Sequence, residues 1–194
     1  MGGSRMMDDR FFNECIVHDE CAKLSAIVRA IGRWEKVADD ELNAPRSDTA
    51  SMSDLQAYWA DTHFEDAPSM IHDTKHAMLG SLAVTMSGTV ESFVGALCED
   101  LGVKLSDRAG WGEKRQKLEA CLAFSCDDLD GMTQVTRVRL LGNCYKHNGG
   151  KKDAEFTKRF GGGIGEEIEY VAEDWPALIA ATHTFLLALV ERTP

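Results

Sequence analysis

Ile71, Met78, Leu79, Leu82, Met86, Val90, Phe93, Val94, Leu97 and Leu101 recur at steps of three and four. An apolar stripe of that period over about thirty residues fits one face of a helix, because a strand would need alternation by two. The rest of the chain must supply apolar faces to cover it. Pro68-Ser69 marks the expected start of this central helix and Gly102 its end. Gly80, Gly88 and Gly95 lower helix propensity within it, but their small size permits a second helix to approach closely. Glu91 lies one residue off the stripe, a position that reads as a solvent-facing carboxylate.

The covering faces are readable. Phe11, Phe12, Cys15, Ile16, Ala22, Leu24, Ile27, Val28, Ile31 and Trp34 predict a long first helix over residues 8–38. Met1-Gly2-Gly3-Ser4-Arg5 reads as a cloning remnant, which leaves one domain over 6–194. Asp39 to Thr49 reads as a polar loop, and Ser51-Met52-Ser53-Asp54 as the cap of a short helix carrying Leu55, Tyr58 and Trp59. A connection from Lys104 to Gly112 leads into a short helix through Trp111, Leu118, Cys121, Leu122 and Phe124. Asp127 to Gly131 then forms a turn. Asp174 and Pro176 predict the start of a final helix with Leu178, Ile179, Phe185, Leu186, Leu189 and Val190 facing inward and His183 as a packing residue. Between Gly150 and Asp174 helical periodicity is lost. A flexible loop or small hairpin is expected there, with Glu167 to Val171 as a candidate strand. The expected architecture is an all-α helical bundle with a small irregular or hairpin insertion before the last helix.

The formal net charge of the 194-residue chain is -11, so the molecule as a whole is not built to coat nucleic acid or an anionic membrane. From residue 137 to 159 the balance reverses. Arg137, Arg139, Lys146, Lys151, Lys152, Lys158 and Arg159 are opposed within the segment only by Asp153 and Glu155. This is either an anion-facing patch or an ordinary solvated face. The longest apolar runs are interrupted by Ser, Thr, Gly and charges, so no membrane span is expected. The six cysteines fall largely at apolar helical positions and read as small buried thiols in a cytoplasmic protein. Cys121, Cys126, Cys144 and His147 form a conceivable zinc set, but the Cys121/Cys126 spacing is loose, and the expectation is no metal and no cofactor. Gly161-Gly162-Gly163-Ile164-Gly165 follows no apolar strand and lacks the Gly-Lys-Ser/Thr ending of a phosphate loop, so it reads as a turn.

The chemistry-bearing stretch runs from Arg137 to Lys152. Arg139, Asn143 and His147 are spaced by four, which stacks them along one helix face, and Val138, Leu141 and Tyr145 supply an apolar side. Asn148-Gly149-Gly150 ends the helix and places His147 in its last turn, where the helix dipole favours a protonated imidazole. An imidazole, an amide and nearby cations suit acid–base chemistry on an anionic substrate, although a histidine at a helix C-terminus is often simply a capping residue.

The run Gly142-Asn143-Cys144-Tyr145-Lys146-His147-Asn148-Gly149 resembles the signature of the HEPN superfamily, small all-α proteins of prokaryotic defence and toxin–antitoxin systems. Many members carry an Arg-Asn pair, three residues, then His, often followed by Asn and Gly. The helix around Val90-Glu91-Ser92-Phe93 resembles the family's earlier core helix, which often carries an acidic residue near the active site. The resemblance covers residues 70–190. It implies a metal-independent endoribonuclease in which the RNA 2′-hydroxyl attacks the phosphate, leaving a 2′,3′-cyclic phosphate. It also implies a homodimer with a shared site, and an antitoxin or other defence-system partner. His147 would be the acid–base group, Asn143 a supporting polar group and Glu91 the site acid. Gly142 stands where the motif arginine belongs. Arg139 is the nearest candidate, but it lies about 12 Å from His147 along a helix. Lys146, Lys151 or an arginine of a second copy could substitute. The cations Arg137, Lys146, Lys151, Lys152, Lys158 and Arg159 would bind RNA. The rival expectation is a non-catalytic helical interaction module, acting as antitoxin or scaffold.

Overall fold

The computed structural model describes the backbone of residues 3–44 and 53–194, and the side chains of 10–44, 53–54 and 65–194. Six α-helices carry it: α1 (Gly3–Leu42), α2 (Asp54–Asp100), α3 (Trp111–Leu122), α4 (Met132–Asn148), α5 (Ala154–Phe160) and α6 (Trp175–Arg192). Short 3-10 turns occupy Cys126–Asp128 and Tyr170–Ala172. The fold is an all-α bundle, as the periodicities require. The most extensive contacts join α2 to α4, α1 to α6 and α1 to α2.

The stripe of α2 forms the centre of the core. Leu79, Leu82, Met86, Val90, Val94 and Leu97 are all at most 3% exposed. Residues Glu65–Asp100 are long and apolar enough to cross a bilayer by length and composition, with a mean hydropathy of 1.3 in the most apolar window. In this bundle that apolar face is covered by α4, α1 and α6.

Helices α2 and α4 run antiparallel. Gly80 meets Tyr145, Ala83 and Ser87 meet Gly142, and Glu91 meets Arg139. The approach is close because two of these positions carry no side chain. A Cβ on Gly80 would lie 2.2 Å from the Tyr145 ring, and a Cβ on Gly142 would lie 2.9 Å from the Ala83 carbonyl oxygen. The small-residue expectation thus holds for Gly80, whereas Gly88 has open space where a side chain would stand.

Several boundaries differ from the sequence reading. Helix α2 does not begin at Pro68 but runs through it from Asp54, absorbing the separate short helix expected there. Proline has the right φ for a helix and removes one hydrogen bond, a loss that a helix of 47 residues absorbs. Helix α1 extends past residue 38 to Leu42, and residues 45–52, with the expected cap at Ser51 and Met52, lie outside the described residues. Helix α3 stops at Leu122, because Ala123 takes a left-handed φ of 55°, so Phe124 packs from the following loop. The insertion holds α5 in place of a structureless loop. Asp153 caps it, its Oδ1 accepting from the Phe156 N–H at 2.7 Å. The candidate strand from Glu167 to Val171 is not formed. A single antiparallel bridge pairs Lys151 with Glu167, and Tyr170–Ala172 turns as a 3-10 element. Tyr170 is the reason: it is fully buried, and its hydroxyl donates to the Leu141 carbonyl at 2.9 Å.

Helix ends follow their sequence signals elsewhere. Gly149 (φ 59°) and Gly150 (φ 84°) close α4, with the Gly150 N–H donating to the Cys144 carbonyl at 3.0 Å. Asp174 caps α6 by accepting from the Ala177 N–H at 3.0 Å.

Candidate nucleic-acid interface

Helix α4 positions the residues singled out by the sequence. Its inner side is packed through Val135, Val138, Leu141, Gly142 and Cys144, so residues one step round the helix emerge at the edge of the bundle. His147 is exposed in the last turn, and Asn143, one turn earlier, is half-buried. The open C-terminal carbonyls favour a cation there, and Lys146 and His147 both occupy this turn.

The four residues expected to share a catalytic site separate into two pairs. Glu91 and Arg139 are together, Oε1 to Nε at 3.4 Å. Asn143 and His147 are one turn apart. Arg139 is not presented to solvent. Its side chain is 13% exposed, and its guanidinium lies 4.5 Å from the centre of the Trp111 ring. Burial pulls its pKa below the ordinary guanidinium value, while the Glu91 carboxylate opposes that shift. Arg139 therefore ties α4 to α2 and α3. Side chains lean toward the helix N-terminus, which directs it further from His147.

The basic segment is also thinner than its composition. Arg137 forms a two-bond fork with Glu173, at 2.7 Å and 2.6 Å, and its guanidinium stacks 4.9 Å from the Phe160 ring. Lys152 pairs with Glu166 at 2.9 Å. Arg159 is 3.9 Å from Glu155, an exposed pair of small energetic weight. Lys146, Lys151 and Lys158 are exposed, and no ion pair holds them among the described residues. Three of the seven cations are thus free: Lys146 on the last turn of α4 with His147, Lys151 in the loop after it, and Lys158 on α5, whose end at Arg159 and Phe160 lies against the start of α4 at Met132 and Thr136.

Behind this edge lies a histidine that the sequence reading passed over. His76 Nε2 sits 2.7 Å from the Ile168 carbonyl, and its ring meets Tyr170 edge-on at 4.9 Å. It anchors the insertion against α2. No sequence signal marks it, because its partner is 92 residues away. His183, expected to be a packing residue, packs its ring against His18 across α1 and α6 and bonds to it.

The conceivable zinc set is dispersed between exposed and buried positions. Cys126 and Cys144 are buried, whereas Cys121 and His147 are exposed. Among the described residues, no group of three or more His, Cys, Asp or Glu side chains is placed to hold a metal ion.

Comparison of the chain with protein-family models, with curated proteins and with solved structures found no match.

Proposed function

We propose that this is a HEPN-like, RNA-directed protein that binds single-stranded RNA through the end of α4 and through α5, acts as a homodimer, and cleaves weakly or not at all as a degenerate relative of the metal-independent endoribonucleases. The observation that carries the reading is the exposed Lys146, His147 and Lys151 at the end of α4, with exposed Lys158 further off on α5, on a chain of net charge -11. Local positive charge on an acidic protein selects an anionic partner, and phosphate contacts supply most of the affinity for RNA. Weak cleavage follows from Gly142 and Arg139. The first has no room for an arginine, and the second is committed to Glu91 and Trp111. Two copies joined at the end of α4 would bring two such groups around one phosphate. A defence or toxin–antitoxin setting, with an antitoxin or related partner in the cytoplasm, belongs to the same reading.

The test is incubation with single-stranded RNA in EDTA at low salt, following binding, product ends and sedimentation together. Binding by a dimer, with little turnover and any product ending in a 2′,3′-cyclic phosphate, is the expected result. His147→Ala should remove residual cleavage and leave the fold intact. Magnesium-dependent cleavage untouched by His147→Ala contradicts the mechanism.

A second reading is a non-catalytic interaction module. Phe11 and Phe12 are 67% and 64% exposed on α1. A neighbouring groove of about 380 Å³ between α1 and α2 is lined by Ile16, Val17, Phe93 and Leu97. Absence of both RNA binding and cleavage at low salt favours this reading.

A further inference from the structure

A cavity of about 430 Å³ lies between α1 and α6, with His18, Cys21, Ser25, Arg29, Pro176 and His183 in its wall. His183 Nε2 is 2.9 Å from His18 Nδ1, and the ring centroids are 4.7 Å apart. Among the described residues this is the one side-chain hydrogen bond between α1 and α6. Ser25 and Thr182 bond back to carbonyls of their own helices. An N–H···N bond needs one protonated and one bare nitrogen. Once both imidazoles are charged, two N–H groups face each other and the bond is lost.

We propose that the His18–His183 contact is a proton-sensitive latch, closing α1 onto α6 at neutral pH and releasing it when the second imidazole is charged. Among the described residues no carboxylate pairs with either imidazole. On α1, Glu14 is engaged by Arg10 at 3.3 Å, and Asp19 and Glu20 are both engaged by Lys23 at 2.7 Å. Arg29, in the same wall, adds a like charge. On α6 the wall is Pro176, Ile179 and Ala180, without a charge. From α2, the residues lining the adjoining groove are Gly88, Thr89, Ser92, Phe93, Ala96 and Leu97, again uncharged. Burial first, and the His18 charge second, hold His183 below the ordinary imidazole range. The open or unfolded chain therefore takes up the proton more readily than the closed one. Closure is strongest above about pH 6.5 and weakens as pH falls below it.

Cys21 reports the event, because it lines this cavity and is 6% exposed. The exposed thiols Cys15 and Cys121 are first replaced by serine. The protein is then labelled with dithiodipyridine, which attacks thiols at acid pH, and labelling of Cys21 is read relative to fully buried Cys98 by peptide mass. Between about pH 8 and about pH 5.5, that ratio should rise severalfold in the parent. It should stay flat with pH in His183→Asn and in His18→Asn. A flat ratio in the parent, or an equal rise in both variants, overturns the latch.

Discussion

The Gly142 Cα faces the Ala83 carbonyl so closely that even a methyl group would lie 2.9 Å from that oxygen. Arginine is therefore excluded from this position by backbone. Gly142→Ala should destabilise the protein by about 1–3 kcal/mol, the usual cost of overpacking a tight contact. Gly142→Arg should cost more and should not create nuclease activity. Urea unfolding midpoints for both variants check the order.

Arg139→Met retains the stem and removes the charge. It forfeits the contact over Trp111 and leaves Glu91 unpaired. A loss of about 1–2 kcal/mol is expected, with RNA affinity unchanged. A drop in affinity without a drop in stability would show Arg139 reaching RNA.

Tyr170→Phe should cost about 1 kcal/mol, the net worth of the hydroxyl's bond to the Leu141 carbonyl, which keeps its helical partner within α4. The same change should loosen the insertion, seen as faster hydrogen exchange at Lys152 and Ile168, whose N–H groups hold it to Glu166 and Gly150.

Thiol reactivity should divide sharply. Cys15 and Cys121 are exposed, while burial pushes Cys21 up to about 11 and Cys126 up to about 12. Only the thiolate is a strong nucleophile. Two thiols per chain should react rapidly with iodoacetamide near neutral pH, and the others should wait for unfolding. Rapid reaction of four or more thiols in the native protein would contradict this burial pattern.

The core of this architecture is written in local pattern. The stripe from Ile71 to Leu101, the glycines after Asn148 and the Asp174–Pro176 start each act within a few residues, and each appears where the pattern puts it. Helix α5 was hidden because two turns are too short to show a period, although Asp153 and Phe156 carried its capping signal. Charge was the least legible property. A count over residues 137–159 sees Asp153 and Glu155 but not Glu91, Glu166 and Glu173, which the fold carries to Arg139, Lys152 and Arg137. Pairing between positions tens of residues apart is a product of packing, so composition overstated the cations open to a ligand.

The account stands on the lysines that remain free. The most direct measurement is RNA affinity across a salt series for the parent and for Lys146→Gln/Lys151→Gln/Lys158→Gln. Each phosphate contact to a single strand contributes about 0.7 to the slope of log affinity against log salt. The triple variant should bind more weakly at low salt and lose about 2 from that slope, with its fold unchanged. Equal affinity and equal slope in the two proteins would contradict the claim that this surface holds RNA.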